Sequence, residues 1–200
     1  MKIALIVEGK TERVFLSILR HFLDGRVTRG SLRIVPYCHD GRIPTQDKLQ
    51  RVVALCLADG NDAVIALTDV YTGTREFVNA ADAKRQMQQW VGSEGRFYPH
   101  AAQHDFEAWL IPYWDDIKRL SGSNRNPPAG NPESVNHMSP PAHRIAEIFR
   151  TGTKRTYYNK PRDAKRILEG KDLTVAARQC SELKALLNTI LTLSSAPPLP

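Results

Sequence analysis

The chain is poor in cysteine and has no long hydrophobic run. Its three cysteines, Cys38, Cys56 and Cys180, are odd in number and show no C-x-x-C spacing, which argues against a disulfide framework and a zinc ribbon. No apolar run approaches the ~20 residues of a membrane span, and the apolar run 3–7 is too short for a signal peptide. These absences favour a cytoplasmic protein without a membrane partner.

Positive charge is in excess and is concentrated near the C-terminus. The formal net charge is +7, from 28 Lys plus Arg against 21 Asp plus Glu, which suggests a polyanionic partner. Tyr157 and Tyr158 lie among the densest cations, and aromatic rings can stack on bases while cations neutralise phosphates. The stretch 154–171 is therefore a candidate nucleic-acid-binding strip, and a solvated helix face is the alternative. Its cations are Lys154, Arg155, Lys160, Arg162, Lys165, Arg166 and Lys171.

The N-terminal segment ALIVEGKT at 4–11 differs from the phosphate-binding G-x-x-x-x-G-K-[ST] motif only at its first position. The four middle residues of that motif must form a wide loop whose N–H groups surround phosphate. Here three of them are apolar and suit a strand, and the fourth, Glu8, would place negative charge against the nucleotide. The segment therefore indicates a strand that ends on an acid, and an ATP-binding loop is disfavoured.

Apolar patterns predict strands that alternate with helices in the first part of the chain. The predicted strands lie at 3–7, 32–37, 63–68 and 96–104, the last interrupted by Pro99. The predicted helices lie at 11–23, 45–57, 79–91 and 105–111, the last ending before Pro112. This alternation predicts an α/β fold with a mostly parallel sheet of about four strands, covered by helices on both faces.

The second part of the chain begins with a segment rich in Pro, Asn, Ser and Gly. It predicts a loop, after which helical patterns occupy 141–150, 161–168 and 181–193. The final SSAPPLP is typical of a disordered tail. The predicted organisation is an α/β core at 1–120, a loop at 121–141, a helical extension packed on the core at 142–193, and a tail at 194–200.

Acids follow three of the predicted strands. In parallel sheets, ligand chemistry gathers at the carboxyl ends of the strands, so Glu8, Asp69 and the segment His104 to Glu107 are expected to converge. Neighbouring carboxylates are costly unless a cation lies between them, and Mg²⁺ bound by one or two carboxylates is common in phosphoryl chemistry. Lys10 could contact a phosphate. The alternatives are a helix-start acid for Glu8 and a turn-forming Asp69.

The histidines are weaker candidates. His104 could act as acid, base or metal ligand, and Glu107 three residues later would share its face on a helix. A lone histidine is more often a hydrogen-bonded structural residue. His137 and His143 have no spacing specific to a metal site and are interpreted as surface residues.

Four ordered blocks resemble a known family. They are VEGKTE at 7–12, LTDVY at 67–71, QHDFEAWL at 103–110, and KR followed by YYNKPRDAKRIL at 154–168. They resemble the Toprim-like domain-of-unknown-function family 4276 (DUF4276), related to the Toprim domains of OLD-type nucleases, topoisomerases and primases. Toprim domains carry a Glu on the first strand and a D-x-D pair on the third. The resemblance implies Glu8 as the acid or base and Asp69 as a ligand of Mg²⁺ or Mn²⁺.

The chain departs from the Toprim pattern at the second acid of D-x-D, which is Tyr71. A metal site would then use fewer carboxylates or recruit Glu107 or Asp105. The leading interpretation is a metal-dependent nuclease acting on DNA or RNA, tRNA included. The alternatives are a non-catalytic subunit that binds nucleic acid or a partner, and an enzyme acting on a nucleotide or small phosphate. The resemblance also implies an ABC-type ATPase partner in an anti-phage system.

Overall fold

A four-stranded parallel sheet lies at the centre of the computed structural model, which describes residues 1–28, 30–39, 41–70, 77–134, 139–154 and 157–200. Tyr71, His137 and Arg155 lie outside the described residues. The strands are β1 (Lys2–Val7), β2 (Arg33–Cys38), β3 (Ala63–Asp69) and β4 (Phe97–Ala102). Their order is β2-β1-β3-β4. All three pairings are parallel, so every strand ends at the same edge.

Helices connect and follow the strands. In the first part of the chain they are α1 (Lys10–Leu23), α2 (Gln46–Ala58) and α3 (Ala80–Val91). A 3₁₀ helix, Phe106–Tyr113, leads into α4 (Trp114–Ser121). The later helices are α5 (Pro141–Thr151), α6 (Lys160–Leu168), α7 (Leu173–Ala177) and α8 (Ser181–Leu193).

Both faces of the sheet are covered. Alternate residues of a strand point to opposite faces, and in β1 Ile3 and Leu5 pack with α1, the 3₁₀ helix and the C-terminal helices. Ala4 and Ile6 pack on the other face with α2 and α3. Because β1 and β3 are buried on both faces, their sequences are continuous apolar runs. The predicted α/β class, with a parallel sheet and helices on both faces, is confirmed.

The region around Pro112 differs from the sequence prediction. A helix ending before Pro112 was expected, but the 3₁₀ helix includes this residue and α4 starts two residues later, at Trp114. Proline removes one backbone donor and fixes φ, which is compatible with a tight turn and with the entry into a new helix. Pro99 lies within β4, where the edge position of that strand tolerates the missing donor.

Two features of the C-terminal part were not expected. Helix α7 has only 5 residues, too few to produce a helical apolar period, and Asp172 caps it by accepting a hydrogen bond from the Thr174 N–H. The tail 194–200, expected to be disordered, lies against α8. There the Leu199 N–H donates to Oδ1 of Asn188 at 2.8 Å, and Leu199 packs against the core. No helix among the described residues is long and apolar enough to cross a membrane.

Candidate active site

Glu8 and Asp69 are joined at the carboxyl edge of the two central strands. Glu8 directly follows β1, and Asp69 is the last residue of β3. Oε1 of Glu8 accepts a hydrogen bond from the Asp69 N–H at 3.0 Å and another from the Thr68 hydroxyl. The end of β3 therefore fixes the position of the Glu8 carboxylate, as the shared sheet edge predicts.

The environment of Glu8 favours its protonated form. Burial raises its pKa from 4.5 to about 7, and nearby Glu12 acts in the same direction. The hydrogen bonds from Thr68 and Asp69, together with the charge of Arg42, partly oppose this rise. A carboxyl group that titrates near neutrality is suited to proton transfer at physiological pH.

Asp69 connects the sheet to the segment after β4. Its Oδ1 accepts a hydrogen bond from the Phe106 N–H at 2.9 Å, at the start of the 3₁₀ helix. Burial raises the pKa of Asp69 well above its ordinary value, and the charges of other acids, Glu8 first, raise it further. The acids that act on Asp69 are Glu8, Asp105, Glu12 and Glu107. The structure thus brings four other carboxyl groups within electrostatic range of Asp69.

Asp105 precedes the 3₁₀ helix and is buried. Its Oδ2 accepts a hydrogen bond from the Ala142 N–H at 3.1 Å, in the first turn of α5. Oδ1 is buried and has no hydrogen-bond partner among the described residues. The nearby Glu107 N–H nevertheless favours the charged form of the Asp105 carboxylate, which lowers its pKa. Burial, followed by the charge of Glu107, raises the pKa of Asp105 to about 7.

Glu107 is held by two residues from the end of the basic strip. Its side chain is only 1% exposed. Oε1 accepts a hydrogen bond from the Tyr158 hydroxyl at 3.3 Å, and Oε2 lies 3.3 Å from Nζ of Lys160. Burial disfavours the charged form of Lys160, but Glu107, Asp69 and Asp105 outweigh it and raise the lysine pKa. Glu107 therefore lies close enough to Asp69 and Asp105 to raise their pKa values, and it is already paired with the Lys160 ammonium.

A metal ion was expected at this edge. Among the residues that the structure describes, no group of three or more His, Cys, Asp or Glu side chains is arranged to hold one. The chemistry of the donors nevertheless suits a hard cation, because Glu8, Asp69 and Asp105 are carboxylates. Burial, and after it the neighbouring acids, raise the pKa of all three groups, which a bound cation would oppose, and Oδ1 of Asp105 has no described hydrogen-bond partner.

His104 does not share a helical face with Glu107. The 3₁₀ helix begins at Phe106, after His104 has turned the chain with a φ of 66°. His104 instead lines a separate cavity of about 380 Å³ with residues of the 131–134 segment and the start of α8, among them Glu133 and Ser181. The i, i+3 relationship assumed from the sequence therefore does not apply.

Much of the basic strip has partners within the chain. Arg162 and Arg166 both pair with Asp163, which is fully buried. Lys171 pairs with Asp116, and Nζ of Lys154 donates to the Arg119 carbonyl at 2.7 Å. The strip is therefore partly a structural network, and its charges are not all available in the same way to a polyanion. Lys10, proposed as a phosphate contact, lies exposed at the first position of α1.

Two residues near the acids were not predicted as site residues. Glu12 lies in the first turn of α1, where Oε2 accepts a hydrogen bond from the Gly9 N–H at 3.0 Å. Its position three residues after the N-cap Gly9, typical of a capping-box acid, was the signal that could have identified it. The contact of Tyr158 with Glu107 joins residues 51 apart in sequence, and no local pattern predicts such a pairing.

The fold and the acidic edge together define an α/β, Toprim-like protein. The DUF4276 family, described as a domain of unknown function, matches residues 7–191, and the chain belongs to this family. Among solved structures, it is similar to the C-terminal region of the Burkholderia pseudomallei OLD protein, with 12% identity and a TM-score of 0.56. That alignment covers 96% of this chain and 98% of the other.

A second solved structure has lower similarity. It is the C-terminal region of the Xanthomonas campestris pv. campestris OLD protein, with 13% identity, a TM-score of 0.45, and coverage of 96% and 97% of the two chains. No curated protein matches the chain significantly. At these identities the likeness to the Burkholderia structure is one of fold, and it confirms the Toprim-like class that the sequence blocks implied.

Proposed function

We propose that the chain is a metal-dependent nuclease that hydrolyses phosphodiester bonds in DNA or RNA. The observation that carries the proposal is the junction of Glu8 with Asp69 at the carboxyl edge of the sheet, through the 3.0 Å hydrogen bond. This edge is where parallel α/β sheets bind ligands. The fold shared with the Burkholderia OLD region supports the same class of chemistry.

Glu8 is the proposed general acid or base. Its pKa of about 7 allows it to exist in both protonation states near neutral pH, as proton transfer to or from the reacting oxygen requires. Asp69 would hold the cation, because it ends the neighbouring strand and its charge is poorly compensated. Thr68 keeps the Glu8 carboxylate in place by donating its hydroxyl to Oε1.

A third acid is needed because Tyr71 occupies the second position of D-x-D. Glu107 was expected to fill this role, but it is paired with Lys160. Asp105 is the better placed alternative, since its Oδ1 has no hydrogen-bond partner among the described residues. A bound Mg²⁺ or Mn²⁺ would polarise a phosphoryl oxygen and lower the pKa of a coordinated water.

Lys160 would serve at the reaction centre and not as a distant surface cation. Its Nζ contacts Glu107, and the nearby charges of Asp69 and Asp105 keep it protonated. Half of its side chain is exposed, so the ammonium is accessible to a phosphate that approaches the acids. Developing negative charge on such a phosphate would be stabilised by a positioned cation.

A non-catalytic binding subunit is the second candidate. It is favoured by the lack of a group of three metal-binding side chains among the described residues and by the Lys160 ammonium, which already neutralises Glu107. The ABC-type ATPase partner and the anti-phage role rest on the sequence resemblance alone. Co-expression with a candidate ATPase, followed by purification of a complex, tests that association.

The two candidates are separated by a cleavage assay. Purified protein is incubated with plasmid, single-stranded DNA and tRNA in the presence of Mg²⁺, Mn²⁺ or EDTA. The nuclease proposal requires cleavage that EDTA and the Asp69→Asn substitution both abolish, while Glu94→Gln, at a half-buried position on the turn before β4, retains it. Binding without metal-dependent cleavage would support the non-catalytic subunit. Cleavage of small phosphate compounds alone would point to a nucleotide-processing enzyme.

A further inference from the structure

Tyr157 and Tyr158 are neighbours in sequence but have different environments. Tyr158 packs its ring against Phe149, with ring centroids 5.3 Å apart, and directs its hydroxyl to Glu107. Tyr157 is 71% exposed, one of few large hydrophobic side chains so exposed among the described residues. A single exposed aromatic residue is common on protein surfaces, so its significance depends on how its ring is held.

The ring of Tyr157 is backed by a cation in a fixed position. The Arg162 guanidinium carbon lies 5.5 Å from the ring centroid. Arg162 donates from Nε to Oδ1 of Asp163 at 2.9 Å and from a terminal nitrogen to Oδ2 at 2.8 Å. Asp163 is fully buried in α6. The two-point contact with a buried carboxylate orients the guanidinium, which in turn favours one position of the exposed ring.

Tyr157 is close in sequence to two residues that contact the acidic cluster. Tyr158 and Lys160, which contact opposite oxygens of Glu107, are one and three residues beyond Tyr157. Consecutive Cα atoms are about 3.8 Å apart, so the ring lies within the reach of a few nucleotides from the proposed reaction centre. An ordered ring loses little conformational freedom when a flat partner stacks on it.

We propose that Tyr157 is a stacking platform for an unpaired nucleobase, and that the protein therefore binds a single-stranded segment at its acidic edge. This inference rests on the proposed function. An unpaired base exposes a flat π-face to an aromatic side chain, whereas bases in a duplex are stacked on one another. The exposed cations of the same stretch, including Lys160 and Lys165, suit the phosphates of that strand better than they suit a neutral peptide.

The experiment measures binding by fluorescence anisotropy in EDTA, so that cleavage does not interfere. A labelled single-stranded oligonucleotide and a hairpin duplex of the same composition, whose two strands are joined by a non-nucleotide linker so that no base is unpaired, are titrated with wild type, Tyr157→Ala and Tyr157→Phe. The control is Leu55→Ala on α2, which removes an apolar side chain that is 65% exposed. Thermal melting of each variant verifies that it is folded.

Tyr157→Ala is expected to weaken single-strand binding by about 5- to 150-fold, the range for losing one base–aromatic stack. Tyr157→Phe should retain wild-type affinity because stacking needs the ring and not the hydroxyl. Hairpin binding and the salt dependence should be unchanged in both variants, and Leu55→Ala should behave as wild type.

Several results would overturn the proposal that Tyr157 stacks on an unpaired base. They are wild-type affinity in Tyr157→Ala, an equal loss of hairpin binding, and a defect in Tyr157→Phe as large as that in Tyr157→Ala. Loss of a co-purifying protein from Tyr157→Ala with unchanged oligonucleotide binding would assign the ring to a protein interface instead. If wild type cleaves nucleic acid but Tyr157→Ala binds the single strand normally, only the platform fails. If wild type neither binds nor cleaves, the proposed function fails with it.

Discussion

The Asp69 N–H donates a hydrogen bond to the Glu8 carboxylate across 61 positions of sequence, at 3.0 Å. The parallel register that pairs Val7 with Leu67 brings the ends of β1 and β3 side by side. The first carboxylate is thus positioned by the backbone of the residue that carries the second. Substitutions that keep this hydrogen bond but change the charge of Glu8 are therefore informative about chemistry.

Glu8→Gln is expected to remove cleavage while preserving nucleic-acid binding. Its amide oxygen can still accept from Thr68 and Asp69, but it cannot transfer a proton, and general acid–base catalysis contributes about 10²- to 10⁴-fold to rate. Binding should be equal or tighter, because one negative charge is removed from a site that phosphate approaches. Single-turnover cleavage and anisotropy measure the two effects separately. Equal loss of binding and cleavage would indicate misfolding.

The metal-free protein should lose stability as the pH rises through the pKa values of the acidic cluster. Burial raises the pKa of Glu8 from 4.5 to about 7, so between these values the folded state binds more protons than the unfolded state. This stabilisation is present at low pH and declines as pH approaches 7. A one-unit pKa difference is worth about 1.4 kcal/mol, which changes the Tm of a chain of this length by about 3–6 °C.

Thermal melting in EDTA between about pH 5 and about pH 8 checks this dependence. Burial also raises the pKa of Asp105 and Asp69. Glu8→Gln should therefore reduce the loss of stability with rising pH without abolishing it. Mg²⁺ added at the higher pH should raise the Tm of wild type more than that of Asp69→Asn. A Tm that increases steadily with pH in EDTA would contradict the proposed uncompensated charge.

Lys160 and Glu107 should be energetically coupled. Lys160→Met leaves the buried Glu107 carboxylate without its cation, and an unsatisfied buried group costs about 1–3 kcal/mol. Glu107→Gln removes the charge that needs compensation, so adding it to Lys160→Met should recover part of the loss. Urea unfolding of the two single variants and the double variant gives the coupling free energy, expected to be about 0.5–3 kcal/mol. Additive losses would show that the 3.3 Å contact contributes little.

The basic strip should determine how nucleic-acid binding depends on salt. The slope of log affinity against log salt is roughly 0.7 to 0.9 per phosphate neutralised, so Lys154→Ala with Arg155→Ala should flatten it by about one to two units. Metal binding should be unchanged. The control, Lys48→Ala with Arg51→Ala, removes two exposed cations from α2 and should not alter the slope. An unchanged slope in the Lys154→Ala/Arg155→Ala variant would show that the strip is a solvated surface that does not contact phosphates.

Sequence patterns alone predicted the strands, most of the helices and the location of Glu8 and Asp69 at strand ends. Continuous apolar runs such as 3–7 and 63–68 are long enough to be strands and carry no helical period. Because parallel strands end at a common edge, the positions of Glu8 and Asp69 predicted that both lie on that edge, and the direct pairing of β1 with β3 makes them neighbours. The position of His104 was predicted wrongly because its left-handed φ of 66° precedes the start of the helix and turns the chain, and no local pattern indicates this φ.

The contribution of the C-terminal part to the site depends on tertiary packing that local patterns do not predict. Lys160 and Tyr158 belong to a strip that reads as a uniform basic surface, yet both contact Glu107, which is 53 and 51 residues away in sequence. Packing of α6 on α1 and on the 3₁₀ helix brings them there. Such pairings depend on which apolar faces meet and on where buried charge finds compensation. Local sequence patterns report apolar periodicity and caps, but contain no information about which distant partner neutralises a buried carboxylate.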